Sequence, residues 1–435
     1  MCLHDCSLHI KNSMKQYVAY AEQRDKLTPC QRRRHLLVFN QGHSTGERPD
    51  QGNKMTIPRT IFTLLTLTAM LSPANQPTDA QDAMFNKELL EKCSNAIGVS
   101  GFEDEIRQLI ISELKDCGTI TCETSGNIIC EKKGPEGSPT VALIAHMDEI
   151  GFMVQGVTND GYLLLVPLGG WWNHTLPSQR VKVITRDGRR IPGQIGTKPP
   201  HLLPESQRKQ VMPDDALFVD IGASSAEEVA ELGIRLGCCI VPDVAFQKLA
   251  VKHRWMGKAF DNRAGVYCMI QVMKLLRDQN LPCTVRAVAT VQEEVGTRGA
   301  RALQESFVPD YAVILEAPPA DDTYGQSGVC RQGVLGKGVQ VRLFDPTNIT
   351  PPAFADFVLE TAARNDIRCQ PTVRRSGGTD AAASYPQWHG TPSIVLGVPT
   401  RYIHSHNGIL DSRDLRSTIK LTERIIRELP RLHKH

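Results

Sequence analysis

The chain has 435 residues, 22% of them charged, and a formal net charge of only +3. That length can bury a large core and holds two domains, while the small charge and the lack of a long basic run leave no footprint for nucleic acid. Its thirteen cysteines are scattered, odd in number and form no Cys-x2-Cys pair, which excludes a cysteine-built zinc module and fits reduced, structural thiols of a cytosolic protein.

Residues 1–54 mix Cys, His and charge, including Arg32-Arg33-Arg34, with little apolar periodicity. They read as disordered or as an extension upstream of the true start. An apolar run over 61–71 follows Lys54 and Arg59. It is too short for a membrane span but has the form of a signal-peptide core if translation starts at Met55. Residues 1–83 are therefore read as a non-native or unstructured leader, with export as the alternative to a cytoplasmic location. Met84 is an equally good start for the folded part, which needs no membrane.

Helical spacing runs over 87–96. Ser100-Gly101-Phe102-Glu103 then has the composition of a turn and N-cap before an amphipathic helix over 105–114. Strands are expected at 119–122, 127–131 and 140–145, an α/β opening. The last of these ends in His146-Met147-Asp148-Glu149-Ile150-Gly151. Open α/β sheets place sites at the carboxyl ends of strands, and a ligating His needs an acid to fix its tautomer. His146 is thus a candidate ligand with Asp148 as its partner, although a lone His at a strand end can equally bond backbone.

From 152 to about 250 the pattern changes. Short alternating segments are broken by Asn159-Asp160-Gly161, Gly169-Gly170, Arg186-Asp187-Gly188 and Lys198-Pro199-Pro200. Strands at 162–166, 180–185 and 217–221 fit a small β-barrel or sandwich inserted into the α/β domain. Ser224-Ser225-Ala226-Glu227-Glu228 reads as a capped short helix, and Trp171 and Trp172 as core by default, with an interface as the alternative.

The α/β pattern resumes at Gly257-Lys258-Ala259-Phe260-Asp261-Asn262-Arg263, with a helix expected over 264–278. A carboxylate beside a helix start is favoured electrostatically. Its two oxygens can also span two metal ions. An apolar strand over 285–291 closes in Gln292-Glu293-Glu294-Val295-Gly296. Neighbouring side chains on a strand diverge, so one Glu can hold a metal while the other remains free as a base. The bland alternative is a pair of solvated acids at a strand end. A further strand over 311–315 ends in Glu316. Near the C-terminus stand Ser376-Gly377-Gly378-Thr379-Asp380-Ala381 and a strand from Ile394 that runs into Pro399-Thr400-Arg401-Tyr402-Ile403-His404-Ser405-His406. The last helix covers 415–429.

Five of these stretches, Ala145 to Gly151, Phe260 to Arg263, Glu293 to Gly296, Gly377 to Asp380 and Pro399 to Ser405, resemble in their order the M42 family of dinuclear metallo-aminopeptidases. That family includes glutamyl and deblocking aminopeptidases and FrvX-like proteins. The resemblance runs from about residue 86 to the end and leaves the leader without a counterpart. It implies an α/β catalytic domain over 84–151 and 253–435, a mixed sheet flanked by helices, and an inserted small β-barrel domain over 152–252 used in oligomerisation. The implied assembly is a homo-oligomer, with a tetrahedral dodecamer as one form. By the same resemblance His146, Asp261 and Glu316 hold one metal, and Asp261, Glu294 and His404 hold the other. Glu293 is the general base, Asp148 the orienting acid, and Gly378, Thr379 and Asp380 meet the substrate. Many family members carry Asp where this chain has Glu316, and His406 is a weaker candidate ligand.

The chemistry of these residues agrees. Three carboxylates and two His, with no thiolate, suit Zn or Co. Two such ions supply Lewis-acid polarisation and water activation, and Glu293 would take a water proton and return it to the leaving amine. The substrates are then peptides with a free N-terminus. A deacylase of small amides would use the same groups. An endoglucanase-like glycosidase needs a carboxylate pair and no metal, against which the two His argue. A non-catalytic assembly protein is a third reading, against which Glu293 argues.

Overall fold

The computed structural model describes residues 85–303 and 307–432. The leader over 1–83, with its signal-like run, lies outside them. Among the described residues no helix is long and apolar enough to cross a membrane.

The chain enters with two helices, α1 (Lys87–Asn95) and α2 (Asp104–Leu114). The Asn86 side chain accepts the N–H of Leu89 and so caps α1. Both helices bury one stripe, Leu89, Leu90 and Cys93 on α1 and Ile106, Ile110 and Leu114 on α2, the spacing of an amphipathic helix on a core.

The main sheet begins with β1 (Thr119–Cys122), β2 (Ile128–Lys132) and β3 (Thr140–His146). It is completed by β12 (Thr284–Thr290), β13 (Tyr311–Glu316), β14 (Val339–Asp345), β15 (Asn348–Ile349), β16 (Cys369–Val373) and β17 (Ser393–Gly397). The order is β1-β2-β12-β3-β13-β17-β14-β15, with β16 on β14. The centre, β12, β3, β13 and β17, is parallel. Strand β3 is buried over Val141 to His146, as a central strand covered on both faces must be. Register fixes the site. Thr290 lies opposite His146, Ile314 opposite Ile144, and Glu316 opposite Gly397. The carboxyl ends of these strands are therefore level at one edge of the sheet, which is where such sheets hold their ligands.

Helices cover the sheet. The helix α4 (Phe260–Leu276) is buried along most of its length, from Phe260 through Met273 to Leu276. It packs on β3 and β13 and against α7 (Ser412–Leu432). The α7 helix buries Leu415, Ile419, Leu421, Ile425, Ile426 and Leu429, each fully buried aliphatic contributing about 1.5–3 kcal/mol. Helix α6 (Pro352–Arg364) packs on α7, and the short α5 (Arg298–Ala302) follows the Glu293-Glu294 turn.

Between β3 and α4 the chain forms a closed barrel in the order β4-β5-β8-β7-β6-β9. Its strands are β4 (Gly151–Val157), β5 (Leu163–Leu168), β6 (Arg180–Ile184), β7 (Arg190–Gly196), β8 (Phe218–Asp220) and β9 (Cys239–Pro242). Alternate residues point inward, Phe152 and Val154, Leu163 and Leu165, Val181 and Val183, to make a separate core. The capped helix α3 (Ala226–Glu231) starts at Ser225, whose hydroxyl accepts the N–H of Glu228. Residues past the barrel do not join it. Strand β10 (Gln247–Lys248) pairs with β11 (Arg254–Gly257), which pairs in turn with β18 (Gly408–Asp411) of the catalytic part. Trp171 stacks on Phe152 with ring centroids 4.7 Å apart, in keeping with a core role. Trp172, at 63% exposure, is not core and leaves the interface alternative.

Candidate metal centre

His146 is the last residue of β3 and is almost fully buried. Its Nδ1 faces the backbone carbonyl of Asp148 at 3.2 Å and the Asp148 carboxylate at 3.4 Å. Its Nε2 faces Asp261 at 3.3 Å and Glu316 at 3.8 Å. His404 is arranged the same way. Its Nδ1 lies 2.6 Å from the carbonyl of Gly170, and its Nε2 lies 3.5 Å from Asp261 and 3.4 Å from Glu294. In both rings a carbonyl stands where it can accept the Nδ1 proton, which would leave Nε2 free for a cation, the tautomer a metal ligand requires.

Asp261 joins the two groups. One of its oxygens faces His146 and the other faces His404. It reaches this position because Asp261 and Asn262 break the helical backbone at the head of α4, with ψ of 105° and 41°. Asn262 then holds the break, donating to the Leu315 carbonyl at 2.8 Å and accepting the N–H of Gly265 at 2.9 Å.

Glu293 and Glu294 sit in the loop three and four residues past the end of β12. Asp148 fixes that loop. Its carboxylate accepts the N–H of Glu293 at 2.9 Å, the N–H of Glu294 at 3.2 Å and the hydroxyl of Ser100 at 2.6 Å. Glu103 accepts the N–H of Gln292 from the other side. Gly299 lets the chain pass close by, since a Cβ there would meet the Val291 carbonyl at 2.4 Å.

Two groups result, His146, Asp261 and Glu316, and Asp261, Glu294 and His404, each with its ligand atoms within 4.8 Å of one another. Ligands 2.0–2.2 Å from a shared tetrahedral ion lie about 3.3–3.6 Å apart. The spacings of 3.3 to 3.8 Å match that and are long for direct hydrogen bonds. Glu294 also buries one carboxylate oxygen with no hydrogen-bond partner, a costly state unless a cation meets it. The donor set therefore fits two divalent cations.

The charges tell the same story. Burial and the neighbouring Asp261 push Glu294 up to about 8. Burial also pushes Glu316 up to about 8, against the pull of His146. Burial drives Glu293 well above the usual carboxylate range, reinforced by Asp380, Glu316 and Glu294. Asp261 behaves oppositely. Burial would raise it, but the two imidazoles hold it below its ordinary value. Burial opposes the His404 imidazolium, yet Asp261 and Glu294 carry it up to about 10. This is a pocket with more negative charge than its two imidazoles balance, and bound cations would lower these carboxylates.

A cavity of about 440 Å³ opens onto the cluster, lined by His146, Asp261, Glu293, Glu294, Glu316 and His404. Gly378 and Thr379 line it as well. Asp380 does not. It is buried behind the cluster, where it accepts the Thr290 hydroxyl. His406 joins neither group. It is buried against Trp171, 5.2 Å between rings, and burial pushes its imidazolium down to about 4. Sequence reasoning passed over Arg342 and Arg374 and named Gly170 only as a turn residue; all three line the cavity. A signal existed for Arg342, the one charge in the opening of β14, Val-Gln-Val-Arg-Leu, where polar and apolar residues alternate.

A family profile described as M42 glutamyl aminopeptidase matches residues 126–421. The chain is 37% identical to a glutamyl aminopeptidase of Lactococcus lactis subsp. cremoris, over 72% of this chain and 88% of that one. It is 35% identical to a lysyl aminopeptidase of Pyrococcus furiosus, over 80% and 98%. Among solved structures it resembles a TET aminopeptidase from a marine-sediment Thaumarchaeota archaeon, with TM-score 0.77 and 35% identity over 80% and 98% of the two chains. It also resembles the TET1 peptidase of Pyrococcus horikoshii, with TM-score 0.69 and 35% identity over 78% and 99%; that peptidase assembles into a tetrahedron or a large octahedral shell.

Proposed function

This chain belongs to the M42 glutamyl aminopeptidase family, and from that premise we propose that it removes N-terminal residues from peptides using two divalent cations, Zn or Co. One cation would sit among His146, Asp261 and Glu316, the other among Asp261, Glu294 and His404. The observation that carries this reading is the sharing of Asp261, whose two oxygens face different imidazoles.

When bound, the two cations supply Lewis-acid polarisation and water activation. The chain's own residues do the rest. Glu293 lines the cavity, and burial raises its carboxyl above the usual carboxylate range, which makes it a stronger base. Its carboxylate would take the proton of the attacking water and return it to the departing amine. Asp148 would hold Glu293 and Glu294 in place through their backbone amides and the His146 ring through Nδ1. Gly378 and Thr379 would flank the peptide. Asp380 is better described as a buried support of Thr290 than as a substrate contact.

A glycosidase reading is less well supported, because the cavity's carboxylates cluster around two imidazoles instead of standing as an isolated pair. By analogy with the P. horikoshii peptidase we also propose that the chain forms a homo-oligomeric shell, with the barrel contributing contacts. The deciding test is metal content beside activity. Two equivalents of metal per chain, loss of aminopeptidase activity on chelation and its return with Zn or Co are expected. Full activity in metal-free protein, or hydrolysis only of amides without a free amine, would overturn the proposal.

A further inference from the structure

A buried ionic triad stands beside the metal ligands and has no part in the reading above. Glu149, Lys258 and Arg263 are 1%, 4% and 0% exposed. Glu149 belongs to the link from β3 to β4, Lys258 to the link from β11 to α4, and Arg263 to α4 itself. The Lys258 ammonium donates to both Glu149 oxygens, at 2.6 and 2.7 Å, and Arg263 donates to Glu149 Oε1 at 3.1 Å.

The guanidinium reaches further. Its Nε donates to the Met147 carbonyl at 2.8 Å, and its Nη1 to the carbonyls of Cys93 and Ala96 at 2.6 and 2.8 Å. Lys258 also donates to the Ala96 carbonyl, at 3.2 Å. These carbonyls stand at the C-terminal end of α1, where helical carbonyls lack partners and cations are favoured. The loop after α1 is shaped to the guanidinium, since a Cβ on Gly98 would stand 2.6 Å from Arg263 Nη2.

Burying two cations and one acid costs more desolvation than an apolar filling would, so added stability does not explain the triad. Its placement does. Arg263 grips the end of β3 on both sides of Asp148, at the Met147 carbonyl and at the Glu149 carboxylate. Lys258 and Arg263 bracket Asp261 in sequence, around the backbone break that turns its carboxylate between the imidazoles. One polar group thus joins the segment of His146 to the segment of Asp261, whose facing atoms are 3.3 Å apart.

We propose that Glu149, Lys258 and Arg263 are positioning residues of the metal centre. They fix the separation of His146 from Asp261, and with it the affinity and coordination geometry for the cation the two would share. This rests on the reading of the cluster as a site for divalent cations and adds what sets its geometry. None of the three lines the cavity over the cluster, so they act through the ligands and not on the substrate.

In the test the full chain, freed of metal, is titrated with Co2+. Calorimetry gives the affinity, and the visible absorption of the ion reports its coordination geometry. Lys258→Met keeps the stem and removes the charge. Gly98→Ala displaces the guanidinium without altering any charge. Both should weaken cation binding about ten- to a hundredfold and shift the Co2+ absorption. Leu429→Ala, which opens a cavity under the buried face of α7, lowers stability by another route and should leave titration and spectrum as in the parent. That contrast separates positioning from support of the fold. Should one of the two variants fail to fold, the other decides, with Arg263→Lys, which keeps charge but not the planar fork, as a third. Parental affinity and spectrum in the folded variants, or an equal loss in Leu429→Ala, overturns the inference. A parent that binds two Co2+ yet cleaves no peptide would overturn the aminopeptidase reading and leave this inference to the variants' titrations. A parent that binds none overturns both.

Discussion

The Asp148 carboxylate accepts the backbone N–H of Glu293 at 2.9 Å, across 145 residues of sequence. One buried acid thus ties the end of β3 to the loop after β12 and positions both glutamates by their amides. Asp148→Asn puts an NH2 where an amide donor already points. The expected cost is about 1–3 kcal/mol of stability, read by chemical denaturation, together with weaker metal retention. A variant as stable and as metal-rich as the parent would show that the loop is held by other means.

Glu293 and Glu294 are adjacent but should separate by mutation. Glu293→Gln keeps shape and removes no proposed ligand, so metal content should stay while kcat falls on the order of a hundredfold to ten-thousandfold. Glu294→Ala should lose one metal and weaken the other through shared Asp261. Metal analysis beside kinetics decides, and the opposite pattern would reverse the two roles.

Gly170 connects the barrel side to the cluster through its carbonyl on His404. A Cβ at this position would stand 3.1 Å from His404 Nδ1. Gly170→Ala should therefore shift the imidazole and lower affinity for the cation at Asp261, Glu294 and His404 by about tenfold or more. The cation at His146 should be less affected. Stepwise metal titration with calorimetry measures this, and equal loss at both sites would count against the coupling.

The buried thiols give a pH prediction. Burial pushes Cys93, Cys130, Cys239 and Cys283 up to about 12. In the unfolded chain they ionise near 8.5. Between these values the folded state binds more protons, so its stability falls as pH rises from about 9 toward 12. Below that window these thiols should resist alkylation in the native protein, while exposed Cys122 reacts. Peptide mapping after alkylation at pH 8 checks it. Rapid native labelling of Cys130 or Cys283 would contradict the burial.

A protein that starts at Met84 should fold and cleave as the full chain does. Residues 1–83 lack the periodicity of a packed segment, and the first helix is capped locally by Asn86. Comparison of melting and activity between the two forms tests this, and a shortened chain that is insoluble or inactive would make the leader part of the fold.

What the sequence by itself determined was local and periodic. Apolar runs marked β3, β12 and β13, and the residues at or just past their ends, His146, Glu293, Glu294 and Glu316, were visible because a strand end is a change of composition. Turn residues marked the barrel, and alternation marked its strands. The tertiary structure alone decided which of these residues meet. Parallel register brought His146 level with Thr290 and Glu316. A break at the head of α4 turned Asp261 between two imidazoles. Asp380 stood in a motif as suggestive as the others, yet it is buried, accepts the Thr290 hydroxyl and does not line the cavity. Arg342 and Arg374 are 32 residues apart and belong to no motif; strand pairing puts them in one wall. Pattern reports what a residue's neighbours in sequence demand of it, whereas convergence depends on the register and packing of segments far apart in the chain.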